Sequence, residues 1–308
     1  MLKKKLFISI IITFLFINLT KSQEIKIINK VDNKIITNMD IEIEKKYLFL
    51  LNNKLSELSE NEIHNLAKNS LVKEIIKKKE INKLFKEQDE KNNNKIIKNF
   101  YKRLGFGNKN EFINFLNKKK ISYENLKEKL IIDGMWNRII YIKFKNRIRI
   151  DKQSIEKEIV NYYKSKDKKY EYNLSEILID IEKDINIKKK EISQYIKEFG
   201  FKVAANKYSK SDTSKFGGEI GWIKSTRLTK KIKNALSKTK IDGVTKPIET
   251  SNGYLILKLN EKREIKEKFN LENELKQQIN YETNRQLNQF SLIYYKKLKK
   301  NTNIYENK

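Results

Sequence analysis

Gly217-Gly218-Glu219-Ile220-Gly221-Trp222 is the stretch whose reading decides the fold. The chain has only 9 glycines in 308 residues, and three of them stand between 217 and 221. Such a cluster in a glycine-poor chain marks backbone that turns through positive φ, or that passes too close to a neighbour for a Cβ. Ser209-Lys210-Ser211-Asp212-Thr213-Ser214, before it, reads as a polar loop, and Trp222-Ile223, after it, as a short strand.

The flanking segments supply the partners of that strand. Tyr172-Asn173-Leu174-Ser175-Glu176-Ile177-Leu178-Ile179 reads as a strand, followed by helices at about 188–199 and 201–208. Beyond the glycines come the strand at 221–224, a helix at about 228–238, and strands at about 244–250 and 253–260 joined at Ser251-Asn252-Gly253. A small, mainly antiparallel sheet with helices on it makes this region α+β. The charged run Lys164–Lys169 separates it from the chain before.

Upstream the pattern is helical. Ile25–Ile28 and Lys34–Ile36 read as a hairpin turning at Asp32-Asn33. Thr37-x-x-Asp40 and Ser59-x-x-Glu62 are capping boxes that open two helices, the first running to about Asn52. The second places Ile63, Leu66, Ala67, Leu71 and Ile75 on one face. Helices follow at about 89–103, 109–118 and 123–147, and another opens at Asp151. The segment from 264 to about 300 is one more helix, with Phe269, Leu275, Ile279, Leu287, Phe290, Tyr294 and Leu298 on its apolar face. Its centre, Gln277–Asn288, is polar, so the face is thin and needs a partner. The N-terminal helices are the expected partner.

Composition narrows the function. A formal net charge of +29 invites a nucleic-acid reading, yet the lysines are spread through every segment rather than gathered on one face. A solvated basic surface that steers acidic partners is the plainer reading. There is no cysteine, so disulfides, thiol catalysis and a lipid-modified cysteine are excluded. His64 is the only histidine, which argues against a metal cluster or a Ser-His triad, and no cofactor is expected. At the N-terminus, Lys3-Lys4-Lys5 precedes an apolar run from Leu6 to Leu19, with the small residues Thr20 and Ser22 after it. This is a secretory signal peptide over 1–22, too short to span a membrane. The expected mature protein is periplasmic, does not span the membrane and does not bind nucleic acid.

The order of elements resembles the SurA-like family of periplasmic chaperones, with a parvulin-type (rotamase) peptidyl-prolyl isomerase domain inserted. The glycine turn resembles the parvulin signature, and Pro247 stands before the last hairpin, where such domains usually carry one. Lys30–Asp40 resembles the family's N-terminal signature. The resemblance implies a helical chaperone domain over 23–163, a parvulin-like domain over 170–263, and a C-terminal helix over 264–308 that packs on the first. By the same resemblance Glu176 stands where parvulins usually have a histidine. Ser211, or its neighbour Asp212, stands at the polar-loop position. Leu228 and Ile232 stand where the proline pocket is lined, and Leu255 stands at the second histidine.

Isomerisation of an X–Pro bond crosses a barrier of roughly 18–20 kcal/mol without forming a covalent bond. A catalyst needs an apolar slot, exclusion of water, and polar groups that favour the twisted amide. Both family histidines are absent, so turnover is expected to be weak or lost, with Glu176 able to hydrogen-bond Ser211. The function implied is a holdase for unfolded exported chains, outer-membrane proteins above all; the alternative is an active isomerase acting on X–Pro bonds of exported proteins. Candidates for a client-binding surface are Tyr47, Phe49, Phe100, Tyr101, Phe106, Phe112 and Trp136. A third reading takes Gly218-Glu219-Ile220-Gly221 as a G-x-x-G nucleic-acid clamp, but Glu219 would repel phosphate.

Overall fold

The computed structural model describes residues 24–85, 90–165, 168–180, 185–250, 253–265 and 269–306. The expected signal peptide and the Ser251-Asn252 corner lie outside them. The chain opens with a hairpin, β1 (Ile27–Val31) and β2 (Lys34–Thr37). Asp32 turns it at φ +50°, a conformation that a short polar side chain tolerates. Thr37 and Asp40 form the capping box that starts α1 (Asn38–Leu51), and Ser59 and Glu62 form that of α2 (Glu60–Leu84). Three helices complete the arm: α3 (Glu90–Arg103), α4 (Lys109–Lys118) and α5 (Tyr123–Phe144).

After α6 (Lys152–Lys164) the chain builds the second sheet. Its elements are β3 (Tyr170–Ile179), α7 (Ile185–Phe199), α8 (Phe201–Tyr208), β4 (Glu219–Lys224), α9 (Lys230–Ser237), β5 (Ile248–Thr250) and β6 (Gly253–Glu264). The sheet order is β4-β3-β6-β5, antiparallel throughout. The strand expected over 244–250 is regular only in β5, with Val244 bridging singly to Lys258. Ile177, Ile179 and Ile256 face the cluster that includes Ile192, Tyr195 and Phe201 of α7 and α8. Tyr172, Leu174, Leu257 and Leu259 face the opposite cluster, with Leu228 and Leu236. This is period-2 alternation buried on both sides.

The last helix, α10, runs Leu271–Lys300 from an Asn270 cap, starting later than expected because β6 continues to Glu264. Its two halves meet different surroundings. Its second half, through Leu287, Phe290, Tyr294 and Leu298, packs on Trp136, Ile139 and Ile140 of α5. Trp136 is fully buried, stacks on Tyr294 at 5.7 Å, and donates its indole N–H to Ser291 Oγ at 2.9 Å. The polar first half packs on α6, with Gln286 bonded to the Arg149 backbone just before that helix, and it also reaches the second sheet through Glu274, Gln277 and Tyr281. After α10 a strand that was not foreseen, β7 (Ile304–Glu306), pairs with β1, so the first sheet has the order β2-β1-β7. Among the described residues no helix is long and apolar enough to cross a membrane.

Candidate functional site

Gly217, Gly218 and Gly221 all have positive φ, at +67°, +80° and +86°. Gly218 is the one the site depends on. Its carbonyl accepts from the Glu176 backbone N–H at 2.8 Å, and a Cβ built on it would overlap the Glu176 carbonyl oxygen. The turn therefore presses β4 against β3 at Glu176.

There the side chains form a compact polar cluster. Ser211 Oγ donates to Glu176 Oε1 at 2.6 Å, Thr213 Oγ1 donates to the same oxygen at 3.0 Å, and the two hydroxyls lie 3.0 Å apart. The loop that presents them is buttressed from behind: Asn206 Nδ2 donates to the Ser214 carbonyl at 2.7 Å, and Asn52, the C-cap of α1, donates to Asn206 Oδ1 at 2.7 Å. Asp212 points away from the cluster and pairs with Lys73 of α2 at 2.9 Å. Burial would raise its carboxyl, but Lys73, Lys77 and Lys215 outweigh that and hold it down at about 2. Lys215 in turn pairs with Asp133 of α5, which also takes Lys77 at 2.9 Å. Of the two polar-loop candidates, Ser211 faces Glu176 and Asp212 ties the loop to the helical arm.

The apolar side of the site lies on the same face of the sheet. Glu176 pairs across the ladder with Leu257, and Leu178 with Leu255, which puts Leu255 on the face that carries Glu176. Leu228 is buried there, just before the Thr229 cap of α9, and Ile232 packs on the same cluster from the helix itself. A side chain that sequence reasoning missed joins them: Tyr281 of α10 packs on this cluster. Its hydroxyl is pushed up, first by burial and next by the negative charge of Glu176. Thr213 was also missed, although it lies in the polar loop. The arrangement can accept hydrogen bonds and pack a small ring. It has neither of the imidazoles the family uses.

The client-binding candidates need correction. Tyr47, Phe100, Tyr101, Phe112 and Trp136 are interior side chains. Phe112 is the hub of one core, with Phe100, Tyr101 and Phe106 rings 5.9, 6.1 and 5.3 Å away, so these rings close the arm on itself. Only Phe49 and Phe106 remain half-buried. Phe49 lines a groove of about 990 Å³ between the arm and the second sheet, together with Phe115, Phe199, Phe201 and Phe216. Lys46, Lys54, Arg103, Lys119, Lys202 and Lys258 rim it, against the single acid Glu219. Among the described residues no group of three or more His, Cys, Asp or Glu side chains could hold a metal ion.

Residues 177–261 match the rotamase family, described as the PPIC-type PPIASE domain. Chaperone SurA of Pseudomonas fluorescens (strain Pf0-1) is 28% identical over 159 residues, which are 48% of this chain and 37% of that protein. Foldase protein PrsA of Geobacillus sp. (strain WCH70) is 33% identical over 128 residues, 41% of this chain and 43% of that protein. The chain thus spans well under half the length of these curated relatives. A solved structure from Campylobacter jejuni, one of the related SurA-like chaperones PEB4 and Cj1289, covers 92% of this chain and 99% of its own at 16% identity and a TM-score of 0.38. The glycine turn lies within the stretch, residues 177–261, that matches the PPIC-type PPIASE domain, as does most of the antiparallel sheet, and the chain is similar over somewhat under half its length to SurA and PrsA.

Proposed function

We propose that the chain is a chaperone that acts outside the cytoplasm, holding unfolded exported polypeptides, and that its parvulin domain turns over prolyl bonds slowly or not at all. The groove between the arm and the sheet carries this reading. Phe49, Phe115, Phe199 and Phe216, half-buried in one concave surface, offer reversible apolar contact to an extended segment, and the basic rim attracts its acidic residues. Chaperone and foldase relatives support the same class. Outer-membrane proteins are the clients we expect, since their alternating apolar side chains suit such a groove.

The site supports slow catalysis. Glu176 Oε1 already accepts from Ser211 and Thr213, so that oxygen is engaged within the cluster. Leu255 cannot hydrogen-bond through its side chain. The experiment is light scattering of an unfolded outer-membrane protein diluted from urea. Equimolar chain should suppress aggregation. Unchanged scattering in the presence of the folded chain would refute the holdase reading, and robust turnover in a protease-coupled prolyl assay would refute the loss of catalysis.

A further inference from the structure

The first half of α10 is polar, yet it is not solvent-facing throughout. Glu274, Gln277 and Tyr281 recur at the i, i+3, i+7 spacing of one helix face, and each one engages the parvulin domain. Glu274 pairs with Lys224, the last residue of β4, at 2.6 Å, both side chains being about nine-tenths buried at 9% and 11% exposure. Arg227 donates to Gln277 Oε1 at 2.5 Å and lies over the Tyr281 ring at 5.9 Å. Tyr281 packs on the cluster that holds Leu228, Ile232 and Leu255, and its hydroxyl lies within the field of Glu176. On the neighbouring side, α6 helps hold the same edge, with Ser225 donating to the Tyr162 hydroxyl at 2.6 Å.

We infer that α10 caps the parvulin pocket in cis, with Tyr281 as the pocket's occupant, so that a client's prolyl segment enters only when this helix face lifts away. The tyrosine ring is a flat apolar body packed on the cluster of Leu228, Ile232 and Leu255, the residues assigned to the proline slot. An extended client and α10 therefore compete for one surface. This rests on the assignment of the pocket and not on the chaperone reading, because it concerns the opposite face of β3 from the groove. It also gives part of the polar stretch of α10 a partner: beside α6 and the Arg149 backbone, it meets Lys224 at the end of β4 and Arg227 in the turn after it.

The test is binding of a fluorescein-labelled tetrapeptide with a central Leu-Pro, read by anisotropy, with its Pro-to-Ala counterpart as the control. A pocket open for a tenth of the time binds about tenfold more weakly than an open one. Tyr281→Ala should therefore tighten binding of the proline peptide by about tenfold or more, and adding Leu228→Glu should abolish the gain. Glu274→Gln with Gln277→Ala, which loosens the helix and leaves Tyr281 in place, should give a smaller gain in the same direction. If Tyr281→Ala does not fold, amide exchange of the wild-type chain decides: saturating proline peptide should speed exchange across 271–283. Unchanged or weaker peptide binding in the folded variants overturns the inference, and so does unchanged exchange at saturation or an equal gain for the Pro-to-Ala peptide.

Discussion

Replacing Gly218 with alanine tests how the glycine turn builds the site. The residue sits at φ +80°, where an L side chain costs roughly 1–2 kcal/mol. The added Cβ would also overlap the Glu176 carbonyl oxygen and crowd Ala205 Cβ at 3.1 Å, so β3 and β4 must separate. Separation weakens the 2.8 Å bond from Glu176 N–H to the Gly218 carbonyl, a loss of about 0.5–1.5 kcal/mol. The two terms give about 1.5–3.5 kcal/mol. Gly221→Ala is the matched control, because φ is +86° there and nothing lies within 4 Å of the new Cβ. It should cost only the backbone term, about 1–2 kcal/mol. Urea unfolding followed by circular dichroism and by Trp222 emission gives both numbers. Equal losses for the two variants would refute the contact of the turn with Glu176, and a harmless Gly218→Ala would refute the backbone geometry itself.

Three further expectations are simpler to state. Trp136→Ala should cost about 3–5 kcal/mol of thermal stability, because the indole is interior and not client-facing; a stable variant with weakened client binding would reverse that assignment. Asp212 is held at about 2 in the fold against an ordinary 3.8, so its contribution is complete above about pH 4 and fades as the pH falls toward 2. Asp212→Asn should remove that part of the acid dependence in melts between pH 5 and 2.5, with Glu62, also held at about 2 by Lys207, supplying a second part. Glu176→His with Leu255→His in a Tyr281→Ala background should raise prolyl turnover by at least about tenfold in the protease-coupled assay, the scale of one restored polar group at a reacting centre. No increase would mean that the slot, and not the missing imidazoles, limits catalysis.

Features with local causes were legible in the sequence. Thr37–Asp40 and Ser59–Glu62 each bond within three residues, so a short window contains the whole reason for the helix start. The three glycines are legible for the same reason, since positive φ is a property of the residue that adopts it. The aromatic residues were not. Phe112 and Phe49 carry the same apolar signal, and only the packing of α3, α4 and α5 decides that one is a core hub and the other lines a groove. Tyr281 is the one aromatic in Gln277–Asn288, and nothing near it in sequence names β4 or α9 as its neighbour. β7 is three residues long, with no period to read; its cause is the far end of the chain, where Asn29 meets Glu306.

That pairing sets an order of assembly. β1 stands between β2 and β7, and the Asp32 carboxylate accepts from Asn303 N–H at 3.1 Å while the Asp32 N–H donates to the Asn303 carbonyl at 2.8 Å. The parvulin sheet closes from residues 170 to 264, so it can form as soon as that stretch has emerged. The first sheet waits for residues 304–306, and the loop it closes spans nearly the whole chain. Such long closures are slow, and they come after local ones. During synthesis the hairpin and helices of the arm thus appear well before β7 and α10, and for that interval the arm's apolar faces lack the strand and helix that finish them.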